Sequence, residues 1–312
     1  MRTLQVIRIL LILLALLLFG AGAVAAAENL LFVRAGNIWI ANIDGSGERQ
    51  ITSSGQDESP ALSPDGKTIV YHSGWDEKTG YGNLYSISIR GGTPKKMEFP
   101  GFQGAEHASF APDGKHIVFV GLSNIRKEGK GDSAMTYATM SICVADLGRG
   151  KVRKIIRTPN ALLDTGYIYS NPSFSPDGSS IAYQDEGSDV SGGFSVISLA
   201  GKKLFHYPSR AWSSMPYWRP LFSFDGKQIL CYSPATSESI KDAVYLVDIA
   251  KGTKRKVTEG TSSAFIKGGK AIVFERWNDK WTEKATPDLW VLDLTPGATP
   301  KKIILDASQP AG

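Results

Sequence analysis

A nine-residue phrase constrains this chain more than any other feature. It reads "SPDGKTIVY" at 63–71, "APDGKHIVF" at 111–119, "SPDGSSIAY" at 175–183 and "SFDGKQILC" at 223–231, with a worn copy, "IKGGKAIVF", at 266–274. Pro presets φ at the first corner of a tight turn, Asp accepts hydrogen bonds from nearby backbone N–H groups, and Gly takes a positive φ without steric cost. Set between two apolar strands, the trio predicts a hairpin. Asp65, Asp113, Asp177 and Asp225 are therefore read as turn residues. Calcium does not suit them. Each sits in a separate turn, whereas the ion takes about six to eight oxygens at once.

The phrase recurs inside a larger unit, at about 59–99, 108–156, 172–208, 220–258 and 263–304. Each unit has a short strand, the turn, an apolar second strand, a variable loop, a third strand such as "NLYSISI" or "AVYLVDI", and a polar fourth. A four-stranded meander cannot bury both faces alone, but several packed radially can. Residues 29–52 supply a second, third and fourth strand without a first, which makes a sixth unit. The missing inner strand is expected from the tail, within 305–312. The reading is an all-β, six-bladed β-propeller of four-stranded antiparallel blades over 28–312, preceded by a signal peptide at 1–27.

That leader has Arg2 and Arg8, an apolar run from Ile9 to Phe19, and small residues ending "AVAAAE". The pattern is a positive n-region, an h-region and an A-x-A-like cleavage site, which places the mature chain in the periplasm or outside the cell. An uncleaved membrane anchor is the alternative the long Leu-rich run allows. Without the leader, 33 basic and 30 acidic residues remain, and no long basic run occurs, so nucleic acid is not an expected partner. Cys143 and Cys231 fall in apolar strands of non-neighbouring units and are read as buried free thiols.

The phrase "SPDGKTIVY" followed by "NLYSISIRGGTPKKM" resembles the TolB-type β-propeller repeat, over about 29–304. It is also similar to the propeller repeats in front of prolyl-oligopeptidase-type catalytic domains. TolB carries an α/β domain ahead of its propeller. Here the first blade starts almost at the cleavage site, so a stand-alone propeller is expected. The resemblance implies duty in a cell-envelope complex and names no partner.

Strand order puts the Pro-Asp-Gly turns on one face of the ring and the variable loops on the other. The loop face is the aromatic one, with Tyr169, Trp212, Tyr217, Trp218, Trp277 and Trp281 among its residues. Long loops on a rigid frame carry function, and Trp, Tyr and Arg are typical interface anchors. Trp212, Trp218 and Arg219 are the expected anchors, with Tyr169 and Tyr217 beside them. Trp also stacks on sugar rings, which keeps a carbohydrate-binding module open.

Aligning the inner strands on the turn gives two layers at the channel mouth. Glu58, Glu106, Ser170, Trp218 and Thr261 form one; Ser59, His107, Asn171, Arg219 and Ser262 form the next. Glu58, Glu106 and His107, with Asn171 nearby, can converge on a metal or form an acid–base pair. A hydrated polar funnel is the plainer reading. The other histidines, His72, His116 and His206, are not expected to join His107. Oligogalacturonate-lyase-like proteins use a related repeat with a His-rich metal site, whereas this chain has four His in all. No G-x-S-x-G, H-E-x-x-H, P-loop or G-x-G-x-x-G phrase occurs. The leading expectation is a non-enzymatic binder of a protein or peptide in the envelope, with no cofactor and no metal. The alternative is a metal-dependent lyase or hydrolase acting on a sugar or lactone.

Overall fold

The computed structural model describes residues 29–76, 81–129, 135–162, 169–185, 193–208, 218–233, 241–277 and 285–312, without the side chains of Trp75, Asp76, Asn160, Leu162 and Trp218. The leader read at 1–27 lies outside the described residues.

Six four-stranded antiparallel sheets form the ring. The first blade contains β1 (Asn29–Arg34), β2 (Asn37–Asn42) and β3 (Arg49–Gln50). The second runs β4 (Asp57–Leu62), β5 (Thr68–Asp76), β6 (Tyr81–Ser88) and β7 (Lys95–Lys96). The third has β8 (Gly104–Phe110), β9 (His116–Glu128), β10 (Met135–Asp146) and β11 (Val152–Leu162). The fourth has β12 (Tyr169–Phe174), β13 (Ser180–Asp185), β14 (Gly193–Ser198) and β15 (Lys203–Pro208). The fifth has β16 (Trp218–Phe222), β17 (Gln228–Ser233), β18 (Ala243–Asp248) and β19 (Thr253–Glu259). The sixth has β20 (Thr261–Ile266), β21 (Ala271–Arg276), β22 (Asp288–Asp293) and β23 (Lys301–Ile304). The last strand, β24 (Ser308–Ala311), pairs with β1 and becomes the inner strand of the first blade. The first and last described strands therefore share one sheet.

The second strands are apolar almost without a break because both of their faces are buried. In β1, Leu30 and Phe32 pack toward the sixth blade with Ala264 and Val273, while Leu31 packs toward the second with Ile69 and Tyr71. The fourth and fifth blades meet through Ala182, Phe194, Ile229 and Cys231 in the same way. Alternate residues of one strand thus feed two interfaces, and the core is a set of wedges between blades. Cys143 and Cys231 are buried free thiols. Burial pushes the Cys143 thiol up to about 12 and moves Cys231 in the same direction.

The turns are held as their sequence requires. Asp65 Oδ1 accepts from Ser63 Oγ at 2.6 Å and from Lys67 N–H at 3.1 Å. Asp225 repeats this with Ser223 at 2.6 Å and Lys227 at 3.1 Å, and Asp177 with Ser175 at 2.6 Å and Ser179 at 3.0 Å. In the third blade, where Ala111 replaces Ser, Asp113 takes Lys115 N–H at 2.8 Å and the His116 ring at 2.7 Å. Hydrogen bonds of this kind hold the Asp65, Asp177 and Asp225 carboxyls below the usual range.

Where the repeat places the variable loop of the third unit, between its second and third strands, β9 continues to Glu128 and β10 begins at Met135. The β9–β10 ladder runs without β8 from Ser123–Thr139 out to Glu128–Met135. Polar alternation in "SNIRKE" hides a strand that has no inner neighbour to bury it.

Candidate functional site: the channel

Each inner strand carries a bulge at the same level. The residue there takes a left-handed backbone: Ser59 (φ 50°), His107 (50°), Asn171 (48°), Arg219 (51°), Ser262 (27°) and Gln309 (50°). Ladder pairing skips at this point in β4, β8, β12, β16 and β20. A bulge residue leaves the ladder and re-aims its side chain, and Ser59, His107, Asn171 and Arg219 of this ring line the channel cavity. Pro follows in four of the six, as Pro60, Pro172, Pro220 and Pro310, and Pro suits a bulge because no ladder N–H is needed there. Five members of this ring match the second layer read from the sequence. Gln309 is the sixth and was missed, because its strand has no Pro-Asp-Gly turn to align on. The recurring residue–Pro pair in "SQPA" is the signal that reveals it.

Gln309 joins the blades on either side. Its backbone N–H donates to Glu275 Oε1 at 2.6 Å, and its side-chain Oε1 accepts from Ser59 N–H at 2.6 Å. Glu275 Oε2 accepts from Thr261 Oγ at 2.9 Å. Burial raises the Glu275 pKa, and these bonds with the nearby Arg219 charge oppose the rise. Arg219 Nη1 donates to Ser262 Oγ at 3.4 Å. Burial draws the Arg219 pKa down, yet a guanidinium stays protonated at neutral pH.

On the opposite wall three titratable side chains meet, contrary to the expectation that His107 stands apart. The rings of His72 and His107 stack at 6.4 Å, and His72 Nε2 lies 3.6 Å from Glu106 Oε1. The same carboxylate oxygen accepts from Gly82 N–H at 3.1 Å. A Cβ at Gly82 would stand 1.9 Å from His72 Nε2, so a larger residue there would have to displace the imidazole. Burial holds His72 near 4 and His107 near 3, so both are neutral at pH 7. The sequence misses this cluster because the second blade supplies His72 and the third supplies Glu106 and His107. Glu58, in register with His72, is exposed, whereas Glu106 is fully buried. The two carboxylates share a layer and differ in environment. Asn171 turns to its own blade, with Nδ2 3.4 Å from Gln184 Oε1.

Among the described residues, no three His, Cys, Asp or Glu side chains come together as a metal ion requires. A Ser–His–Asp set occurs in the fourth blade, but Ser195 stands in the middle. Its hydroxyl donates to Asp185 at 2.8 Å and lies 2.9 Å from His206 Nδ1, and Ser195 is fully buried. A nucleophile needs the His in that middle position and an open face.

Of the expected loop anchors, Trp212, Tyr217 and the side chain of Trp218 lie outside the described residues. Tyr169 is a packing residue. It accepts from Thr158 Oγ at 2.5 Å and meets Tyr183 edge-on at 5.3 Å. Arg219 lies in the channel.

Toward the Pro-Asp-Gly turns the channel widens into a cavity of about 500 Å³, with Ser59, His107, Asn171 and Arg219 at its inner end. Sequence reading treated this face as short turns alone. Short turns still ring an opening, and Phe224 stands there where the copies at 63–71, 111–119 and 175–183 have Pro.

These features define a six-bladed propeller with a polar waist and an apolar funnel. No family model matches the chain. The Tol–Pal system protein TolB of Rhizorhabdus wittichii is 36% identical over 64 residues, which cover 20% of this chain and 14% of that protein. TolB from Acinetobacter baumannii superposes with a TM-score of 0.64 at 20% identity, over 91% of this chain and 66% of that one. A putative TolB from Agrobacterium tumefaciens gives 0.62 at 16% identity, over 89% and 88%. An oligogalacturonate lyase from Vibrio parahaemolyticus gives 0.56 at 14%, over 86% and 71%. The chain is a TolB-like six-bladed propeller in fold. It spans just under two thirds of the Acinetobacter protein and a small part of the curated relative.

Proposed function

We propose that this chain is an exported, TolB-like propeller that binds a protein or peptide partner in the cell envelope through its loop face and does no chemistry on it. One observation carries the reading. The β9–β10 hairpin and the end of β11 rise above their own inner strand on the loop side. This raised edge presents Arg126 stacked 5.2 Å above the Tyr137 ring and Met135 at 47% exposure. Arg, Tyr and Met are enriched where proteins meet. The envelope setting follows from the sequence's resemblance to the TolB-type repeat, and the short match to the Tol–Pal system protein TolB of Rhizorhabdus wittichii supports it. Trp212 and Trp218, on the same side by strand order, are the expected anchors.

The test is cross-linking of the full chain in envelope extract, with cross-link positions mapped by mass spectrometry. Links concentrated at 123–139 and 209–218 are expected. Links confined to the turn face contradict the reading.

The second reading, a metal-dependent lyase or hydrolase on a sugar or lactone, has only the 3.6 Å approach of His72 to Glu106 with His107 stacked beside it in its favour, and among the described residues these do not form a three-ligand set. Metal content of protein purified without chelators decides it. One tightly held divalent ion per chain favours the enzyme, and none removes it.

A further inference from the structure

The funnel at the turn face is unlike the waist above it. Its wall includes Pro60, Leu62, Phe110, Phe174, Phe222 and Phe265. At the mouth, Phe224 is 61% exposed and meets Phe265 edge-on at 6.3 Å. An aromatic ring held open to solvent beside a deep apolar cavity marks a binding surface.

Three hydroxyls of the wall are already committed. Ser109 Oγ donates to the Pro172 carbonyl at 2.9 Å, and Ser173 Oγ to the Pro220 carbonyl at 2.7 Å. Ser175 Oγ donates to Asp177 at 2.6 Å. The prolines of the wall have no N–H to give. A peptide laid along this surface would bury backbone donors and acceptors without partners, which is costly; a hydrocarbon chain would bury none.

The inner end is different. Arg219 is a permanent cation there. Its one described hydrogen bond is the 3.4 Å contact to Ser262, and the charge acting on it from nearby is Glu275, which forms no ion pair with it within 4.0 Å among the described residues. The nearby Glu275 carboxylate is engaged by Gln309 and Thr261. His107 beside it is neutral and Ser59 and Asn171 are uncharged, so the charge facing the cavity is Arg219's.

We infer that the funnel binds a monocarboxylate with a hydrocarbon tail, its tail against the proline and phenylalanine wall and its carboxylate on Arg219. The ligand class is a medium-chain fatty acid. This site lies at the opposite end of the channel from the loop face, so its failure leaves the protein-binding reading standing, and the reverse.

The test is calorimetric titration of the full chain with decanoate, with 1-decanol, and with a tetra-leucine peptide bearing a free carboxylate. Decanoate is expected to bind once per chain, and 1-decanol about tenfold to a hundredfold more weakly, the worth of one hydrogen-bonded charge. Arg219→Asn keeps a residue suited to the left-handed backbone and is expected to bring decanoate down to the level of the alcohol without lowering the melting temperature. No decanoate binding, equal affinity for acid and alcohol, or tighter binding of the peptide would each overturn the inference. The acid–alcohol comparison uses the unmodified chain, so it stands even if the variant misfolds.

Discussion

The backbone N–H of Gln309 donates to Glu275 at 2.6 Å, across the joint between the closing strand and the sixth blade. Its side chain then takes the N–H of Ser59 in the second blade, also at 2.6 Å. One residue of a four-residue strand thus ties the ring on both sides. Removing it tests whether closure depends on this clamp. Gln309→Ala leaves the Ser59 N–H without its acceptor in a half-buried site. A loss of about 1–3 kcal/mol is expected, read as a lower urea midpoint with an unchanged slope. Deletion of 308–312 is expected to cost more, because β1 then faces the channel unpaired.

The left-handed ring makes a second, opposite pair of outcomes. Ser59 sits at φ 50°. Ser59→Gly is expected to be neutral or slightly stabilising. Ser59→Val forces a β-branched side chain into that backbone and is expected to cost about 1–3 kcal/mol. Denaturant unfolding of both variants checks the difference in sign.

Acid should weaken the fold through the histidines at the waist. Burial lowers His72 from 6.5 to about 4, and burial with the His72 and Arg219 charges lowers His107 from 6.5 to about 3. Below about pH 6.5 the unfolded chain therefore binds protons that the folded chain refuses, and stability falls as pH falls. The loss builds from about 6.5 down to about 4 for His72 and about 3 for His107, then levels off. For His72 it amounts to about 3 kcal/mol at most. Urea midpoints at pH 7, 5.5 and 4.5 should drop steadily in the natural chain. They should drop less in His107→Asn, which removes one of the two groups and suits the left-handed backbone.

Much of this architecture is legible because the repeat writes it several times. "SPDG" states both the turn and its Asp acceptor, and alignment on it orders five of the six bulge residues. What the repeat cannot state is contact between units. The His72–Glu106 approach joins two blades, and Gln309 joins three. The funnel is not legible in the sequence for a related reason: its wall is built from the same few positions of every inner strand, each bland alone. Phe224 was the visible exception, a Phe where the phrase calls for Pro. The raised β9–β10 edge was hidden by polar residues, since a strand with no inner neighbour needs no apolar pattern.

The most direct test of the proposed binding role is capture of an envelope partner by the full chain beside its Trp212→Ala/Trp218→Ala form, both shown to be folded. Capture by the natural chain and its loss in the double variant are expected, with a drop of about 2 kcal/mol or more in affinity for the identified partner. Equal capture by the two forms would contradict the loop-face account, and no capture by either would remove the protein-binding role itself.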